Sequence, residues 1–143
     1  MYNVGSLFRT CDGFAVEALY LCGITACPPH KEISKTALGA TESVCWKHFD
    51  STVEAVNDLK AQGYRVWAVE QVDTSVSLEE YAPTKGEKVA IVLGNEVFGV
   101  DDEVLALCDG AIEIPQYGTK HSFNVSVAGA IVIWEIFRKL TQC

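Results

Sequence analysis

No two cysteines stand as C-x-x-C, although the chain holds six, at positions 11, 22, 27, 45, 108 and 143, and no signal peptide precedes them. That usage fits the reduced thiols of a cytoplasmic protein and excludes a disulfide framework. The nearest approach to a metal site is Cys22-x4-Cys27-x2-His30, which offers three ligands without a fourth. Small apolar thiols at a strand end and in a Pro-Pro turn account for it, so no metal is expected. Neither G-x-G-x-x-G nor G-x-x-x-x-G-K-S/T is present, which removes the usual phosphate-cradling loops of nucleotide-binding domains. The nucleophile-elbow pattern of hydrolases is missing as well. No apolar run reaches the roughly 20 residues of a membrane span. Positive charge is scarce: 11 Lys and Arg stand against 19 Asp and Glu, a formal charge of −8. Such a balance works against long-range attraction to a polyanion.

What remains is a chain of 143 residues, 49% of them hydrophobic, long enough to bury one core. It reads as a single domain over residues 1–143, without repeats, low-complexity tract or linker. Short β-favouring runs occur at Val16–Leu21, Arg65–Val69, Val89–Leu93 and Ala111–Ile114, several of them continuously apolar. Continuous apolar runs are expected of parallel strands buried on both faces. Between them, Thr52–Gln62 reads as a helix opened by the capping box Ser51-x-x-Glu54 and closed by Gly63. The alternation predicts an α/β fold, a mostly parallel sheet flanked by helices. From Asn124 to Leu140 a second helix is apolar nearly all round, interrupted between Val125 and Phe137 only by Ser126, Gly129 and Glu135. In so small a protein one sheet face cannot cover it, which points to a partner subunit.

Three segments carry the functional reading. They are Asn3-Val4-Gly5-Ser6-Leu7-Phe8-Arg9, Leu93-Gly94-Asn95-Glu96-Val97-Phe98-Gly99, and Ile114-Pro115-Gln116-Tyr117-Gly118 running into Ser122-Phe123-Asn124-Val125-Ser126. In that order they resemble the three motifs of the SpoU (TrmH-like) branch of the SPOUT methyltransferases. The resemblance implies transfer of a methyl group from S-adenosylmethionine to a ribose 2′-hydroxyl of RNA. It further implies an SPOUT-type fold with a carboxy-terminal trefoil knot, and a homodimer formed through the first and last helices. Transfer RNA is the expected substrate, with ribosomal RNA the near alternative. Two family features are not visible: a short strand before the first motif, where only Met1 and Tyr2 stand, and a separate RNA-binding domain.

The resemblance also assigns residues. Val69, Glu70, Leu93, Gly94, Gly99, Ile114, Gln116, Ser122 and Phe123 are expected to line the cofactor pocket, largely through backbone atoms. Glycines at 94, 99 and 118 suit close backbone approach to a ligand. Phe123 replaces the family's usual leucine. The catalytic set is Arg9, Asn3, Glu96, Ser122 and Asn124. A guanidinium is a poor base, so Arg9 is expected to clamp the phosphate beside the target ribose. Asn3 would orient the loop and Arg9, or act as a helix N-cap; Asn124 is equally suited to cap the last helix. His30, His48 and His121 read as surface residues of loops. Arg9, Lys31, Lys35 and Lys120 lie in or near the motif segments, whereas Glu79, Glu80, Asp101, Asp102 and Glu103 lie between them, which allows a local basic face on an acidic body. A second function class stays open: an idle SPOUT domain serving as a dimeric RNA- or protein-binding module. The acidic balance favours it, and retention of Asn3, Arg9, Glu96, Ser122 and Asn124 argues against it.

Overall fold

The computed structural model describes residues 2–95, 98–119 and 123–141. Its elements run α1 (Tyr2–Gly13), β1 (Leu19–Cys22), α2 (Lys31–Ala37), α3 (Ala40–Ser43), β2 (Trp46–Phe49), α4 (Thr52–Ala61), β3 (Arg65–Val69), β4 (Val76–Ser77), β5 (Val89–Leu93), α5 (Asp102–Leu107), β6 (Gly110–Glu113) and α6 (Val125–Thr141). Contacts divide the chain into two compact units, Met1–Ala55 and Val56–Cys143, with the boundary inside α4.

In the amino-terminal unit β1 and β2 pair in parallel, Leu19 opposite Trp46 and Cys22 opposite Phe49. Three helices accompany them. Phe8 and Cys11 of α1 and Ile33 and Ala37 of α2 are buried, and Gly5 lets α1 and α2 approach closely, because a Cβ there would lie 2.5 Å from the Ile33 carbonyl oxygen. His30 opens α2: its Nδ1 accepts the Glu32 amide at 3.1 Å. A histidine read as loop surface therefore also works as a helix cap, satisfying one of the orphan donors of the first turn. His48 Nε2 lies 2.9 Å from the Gly23 carbonyl oxygen.

The carboxy-terminal unit is built on a four-stranded sheet in the order β4-β6-β3-β5, every pair parallel. The expected strands at 65–69 and 89–93 are found at those residues, and the third is shifted by one, to 110–113. β2 and the two-residue β4 had no sequence signal strong enough to mark them. Gly110 sits beside Trp67 in register, and a Cβ on it would come 2.5 Å from the indole. One sheet face packs against α6: Leu78, Tyr81, Ile112, Val132 and Ile136 form the buried cluster, joined by Trp67, Val69, Val76, Val89, Ile91, Ile114, Ile131 and Leu140. Burying apolar surface is worth about 25 cal/mol per Å², so this cluster stabilises the unit. Large apolar side chains on another side of α6 stay partly exposed. Val127 and Trp134, seven residues and so about two turns apart, remain 47% and 51% exposed, with Phe137 beside them.

Candidate active site

Parallel pairing brings the carboxyl ends of three strands to one level. Val69 of β3 lies opposite Leu93 of β5 on one side and Ile112 of β6 on the other. The segments that leave these strands, Glu70 onward, Gly94 to Val100 and Ile114 to Thr119, therefore start at a single sheet edge, where open α/β sheets bind ligands. Val69, Glu70, Leu93, Gly94, Ile114 and Gln116 are all half-buried there. Of the expected cofactor residues, this edge collects all those described in β3, β5, β6 and the segments after them.

The loop after β5 folds back on itself. Asn95 and Gly99 exchange backbone hydrogen bonds, Asn95 N–H to Gly99 O at 3.0 Å and Gly99 N–H to Asn95 O at 2.8 Å, and the Phe98 amide donates to Asn95 Oδ1 at 3.3 Å. Both glycines are dictated by this fold. A Cβ on Gly94 would run into the Gly99 carbonyl carbon and lie 2.5 Å from the Val100 nitrogen. Gly99 has φ +71°, and a Cβ there would sit 2.6 Å from Glu70 Oε2. The Cβ side of each is thus filled by protein, so a ligand meets the backbone on another side. Around Gly118 no described residue lies within 4 Å of the corresponding position.

Glu70 makes two bonds at the same edge. Its amide donates to the Ile112 carbonyl oxygen at 3.1 Å, and its carboxylate Oε2 accepts the Val100 amide at 2.9 Å. Sequence reasoning placed Glu70 in the pocket wall without foreseeing that its side chain grips the next loop. On the far side of β6, Ser75 Oγ donates to Glu113 Oε1 at 2.6 Å, fixing the segment between β3 and β4.

The start of α6 follows the expected alternative for Asn124. Its Oδ1 accepts the Ser126 amide at 2.9 Å and the Ser126 hydroxyl at 2.7 Å, and its carbonyl oxygen accepts the Ala128 amide. This is an N-cap, and it occupies one side-chain atom of the residue. Phe123, just before it, is exposed, as are Phe98 and Tyr117 on the two loops. The half-buried Val69, Leu93 and Ile114 supply apolar side chains at the strand ends, and the loops that leave them supply backbone hydrogen-bonding groups. Groups of these two kinds suit S-adenosylmethionine, whose adenine ring needs apolar surface and whose methionine end needs polar partners.

Asn3 and Arg9 are both on α1, in the amino-terminal unit. Asn3 lies in the first helical turn, not before it, and six residues of helix separate it from Arg9 by about 9 Å along the axis and place them on different faces. Arg9 is exposed and has no hydrogen-bond or ion-pair partner among the described residues. Glu96 and Ser122 lie outside the described residues, as do His121 and Lys120. Lys31 and Lys35 are exposed on α2, and Glu79, Glu80 and Asp101 to Glu103 are exposed in the carboxy-terminal unit.

A parallel α/β sheet with glycine-bearing loops gathered at its carboxyl edge is an arrangement suited to ligand binding. Comparison with known proteins makes this specific: residues 1–134 match the SpoU rRNA Methylase family, and the chain belongs to that family. It is 33% identical over 138 residues to the tRNA (guanosine(18)-2′-O)-methyltransferase of Thermus thermophilus, covering 96% of this chain and 69% of that protein. The crystal structure of the TrmH/SpoU tRNA modifying enzyme of A. aeolicus superposes with a TM-score of 0.84 at 30% identity, over 96% of this chain and 68% of that one. An AdoMet-bound rRNA methyltransferase from Sinorhizobium meliloti gives a TM-score of 0.89 at 26% identity, and there the chain spans 53% of its neighbour.

Proposed function

We propose that this chain, as a homodimer, methylates a ribose 2′-hydroxyl of transfer RNA, using S-adenosylmethionine as donor. The observation that carries the reading is the levelling of Val69, Leu93 and Ile112 at one sheet edge, which brings Leu93 and Gly94 of the second motif and Ile114 and Gln116 of the third to the strand ends, where the family likeness puts the cofactor. The names of the relatives from Thermus thermophilus and A. aeolicus support tRNA over ribosomal RNA. The trefoil knot belongs to the same proposal.

When bound, S-adenosylmethionine supplies a methyl group on a positively charged sulfur, open to in-line attack by an oxygen. The chain's part is positioning. Backbone at Leu93, Gly94, Ile114 and Gln116, with Ser122, holds the donor, and Phe123 packs its apolar portion. Arg9 clamps the phosphate next to the target ribose, because a planar guanidinium matches two phosphate oxygens and keeps its charge. The hydroxyl proton passes to a phosphate oxygen or water instead of to Arg9. Asn3, Glu96 and Asn124 complete the set that orients substrate and loops. Dimerisation through α6 is supported by the exposure of Val127, Trp134 and Phe137 along it, and α1 is the second element of the interface in this reading. Among the described residues no helix is long and apolar enough to cross a membrane. The free thiols of Cys11, Cys22, Cys27, Cys45 and Cys108 support a cytoplasmic setting.

The formal charge of −8 favours a second reading, an idle dimeric binding module. Calorimetry with S-adenosylmethionine, followed by methyl incorporation into bulk tRNA, separates the two. The proposed enzyme binds the donor and transfers, and Arg9→Ala binds without transferring. An idle module transfers from no variant.

A further inference from the structure

Glu70 follows β3 directly, and Val100 ends the loop that leaves β5. Their link, a charge-assisted hydrogen bond of 2.9 Å from the Val100 amide to Glu70 Oε2, ties two segments together at the sheet edge. The same carboxylate occupies the space beside Gly99, where a Cβ would stand 2.6 Å from Oε2 and 3.2 Å from both the carboxyl carbon and Oε1. Gly99 in turn closes the turn through its two backbone bonds with Asn95, and Gly94 is sealed against Gly99 and Val100. One carboxylate therefore fixes Val100 directly, and Gly99, Asn95 and Gly94 through it.

We infer that Glu70 is a positioning residue for the backbone of Gly94, Asn95, Gly99 and Val100 after β5: it acts on donor binding by holding that backbone, with Gly99 and Glu70 forming a coupled pair. The inference rests on the proposed function for its ligand and adds to it a specific division of labour. Glu70 works from behind the loop, and the Leu93–Gly94 backbone works in front.

The test is calorimetric binding of S-adenosylmethionine to the full chain and to Glu70→Ala, Glu70→Gln and Glu70→Asp, with amide hydrogen exchange at Val100 measured alongside. Loss of a charge-assisted hydrogen bond predicts binding weakened at least about tenfold in Glu70→Ala. Glu70→Gln keeps an acceptor oxygen of the same reach and is expected within about threefold of wild type. Glu70→Asp keeps the charge but is one methylene short, and behaves like the alanine variant; it also serves if Glu70→Ala does not fold. Exchange at Val100 speeds up in Ala and Asp, and stays slow in Gln. A Gly99→Ala substitution loses less binding in the Glu70→Ala background than in wild type, because the carboxylate it collides with is gone. Wild-type affinity in both Glu70→Ala and Glu70→Asp overturns the inference. Equal loss in Gln and Ala also overturns it, since that pattern marks a carboxylate touching the ligand itself. If the wild-type chain binds no S-adenosylmethionine, the proposed function fails, and Val100 exchange still decides the inference: faster in Glu70→Ala upholds the loop-holding role, unchanged rejects it.

Discussion

Gly5 of α1 and Thr36 of α2 touch so closely that a Cβ added to the glycine would run into the threonine hydroxyl. Helices approach this near only where one side chain is missing. Gly5→Ala is expected to destabilise the protein by about 2–3 kcal/mol through overpacking, read as a lower urea midpoint with unchanged slope. An unchanged midpoint would show that the two helices separate freely.

Lys139 near the end of α6 gives its ammonium to three backbone carbonyls, Leu78 at 2.7 Å, Glu79 at 3.1 Å and Tyr81. Glu135 Oε2 lies 3.6 Å away on the same helix. The lysine thereby pins the turn after β4 to α6. Lys139→Met keeps the apolar stem and removes the donors, and a loss of about 2 kcal/mol is expected from hydrogen bonds to a charged group. Thermal unfolding checks it, and an unshifted melting temperature counts against the clamp.

Much of this architecture is legible in the chain, for reasons that differ by element. β3 and β5 announce themselves as apolar runs, 66–69 after Arg65 and Val89–Leu93, because strands inside a parallel sheet leave little room for polar side chains. The helix after Ser51 is legible from its cap, and Ser51 Oγ does accept the Glu54 amide at 3.2 Å. For Asn124 the sequence leaves capping and direct function equally open, and its side chain caps α6. By contrast, Trp-Lys-His-Phe at 46–49 alternates weakly, and only pairing with β1 makes it a strand. Neither the order β4-β6-β3-β5 nor the bond between Glu70 and Val100 has a local signature. Both depend on partners about 24 residues or more distant in the chain, which periodicity cannot reach. Gly5 illustrates the same limit: its reason lies on another helix.

Burial pushes the Cys11 thiol from 9.0 up to about 11. Burial, aided by Glu87, raises the Tyr81 hydroxyl from 10.0 to about 12. In each case the fold prefers the neutral form, so the folded value lies above the unfolded one. The contribution is complete below the unfolded value and is lost as pH climbs through the folded value. Stability is therefore expected to fall between about pH 9 and about pH 11 for Cys11, and between about 10 and about 12 for Tyr81. Urea midpoints across this range test the sign, with Cys11→Ala flattening the lower part. A midpoint that rises with pH there contradicts it. In the folded protein exposed Cys45 should be alkylated well before buried Cys11, a difference that mass spectrometry of timed iodoacetamide digests resolves.

Arg9 is exposed on α1, so its removal should leave folding intact. Arg9→Ala is expected to lower the methyl-transfer rate by about 100-fold or more, the scale seen when one preorganised charge-stabilising donor is deleted. Arg9→Lys should rescue it poorly, because an ammonium lacks the planar fork. Donor affinity should be unchanged in both. Transfer at the wild-type rate in Arg9→Ala removes Arg9 from the catalytic set.

The central claim is ribose methylation of tRNA, and its most direct test is the location of the transferred methyl. The full chain is incubated with bulk tRNA and S-adenosylmethionine labelled in its methyl group, and the RNA is digested to nucleosides and separated. Label confined to 2′-O-methylated nucleosides is expected. Label on a base, or donor binding with no label in RNA, would contradict it.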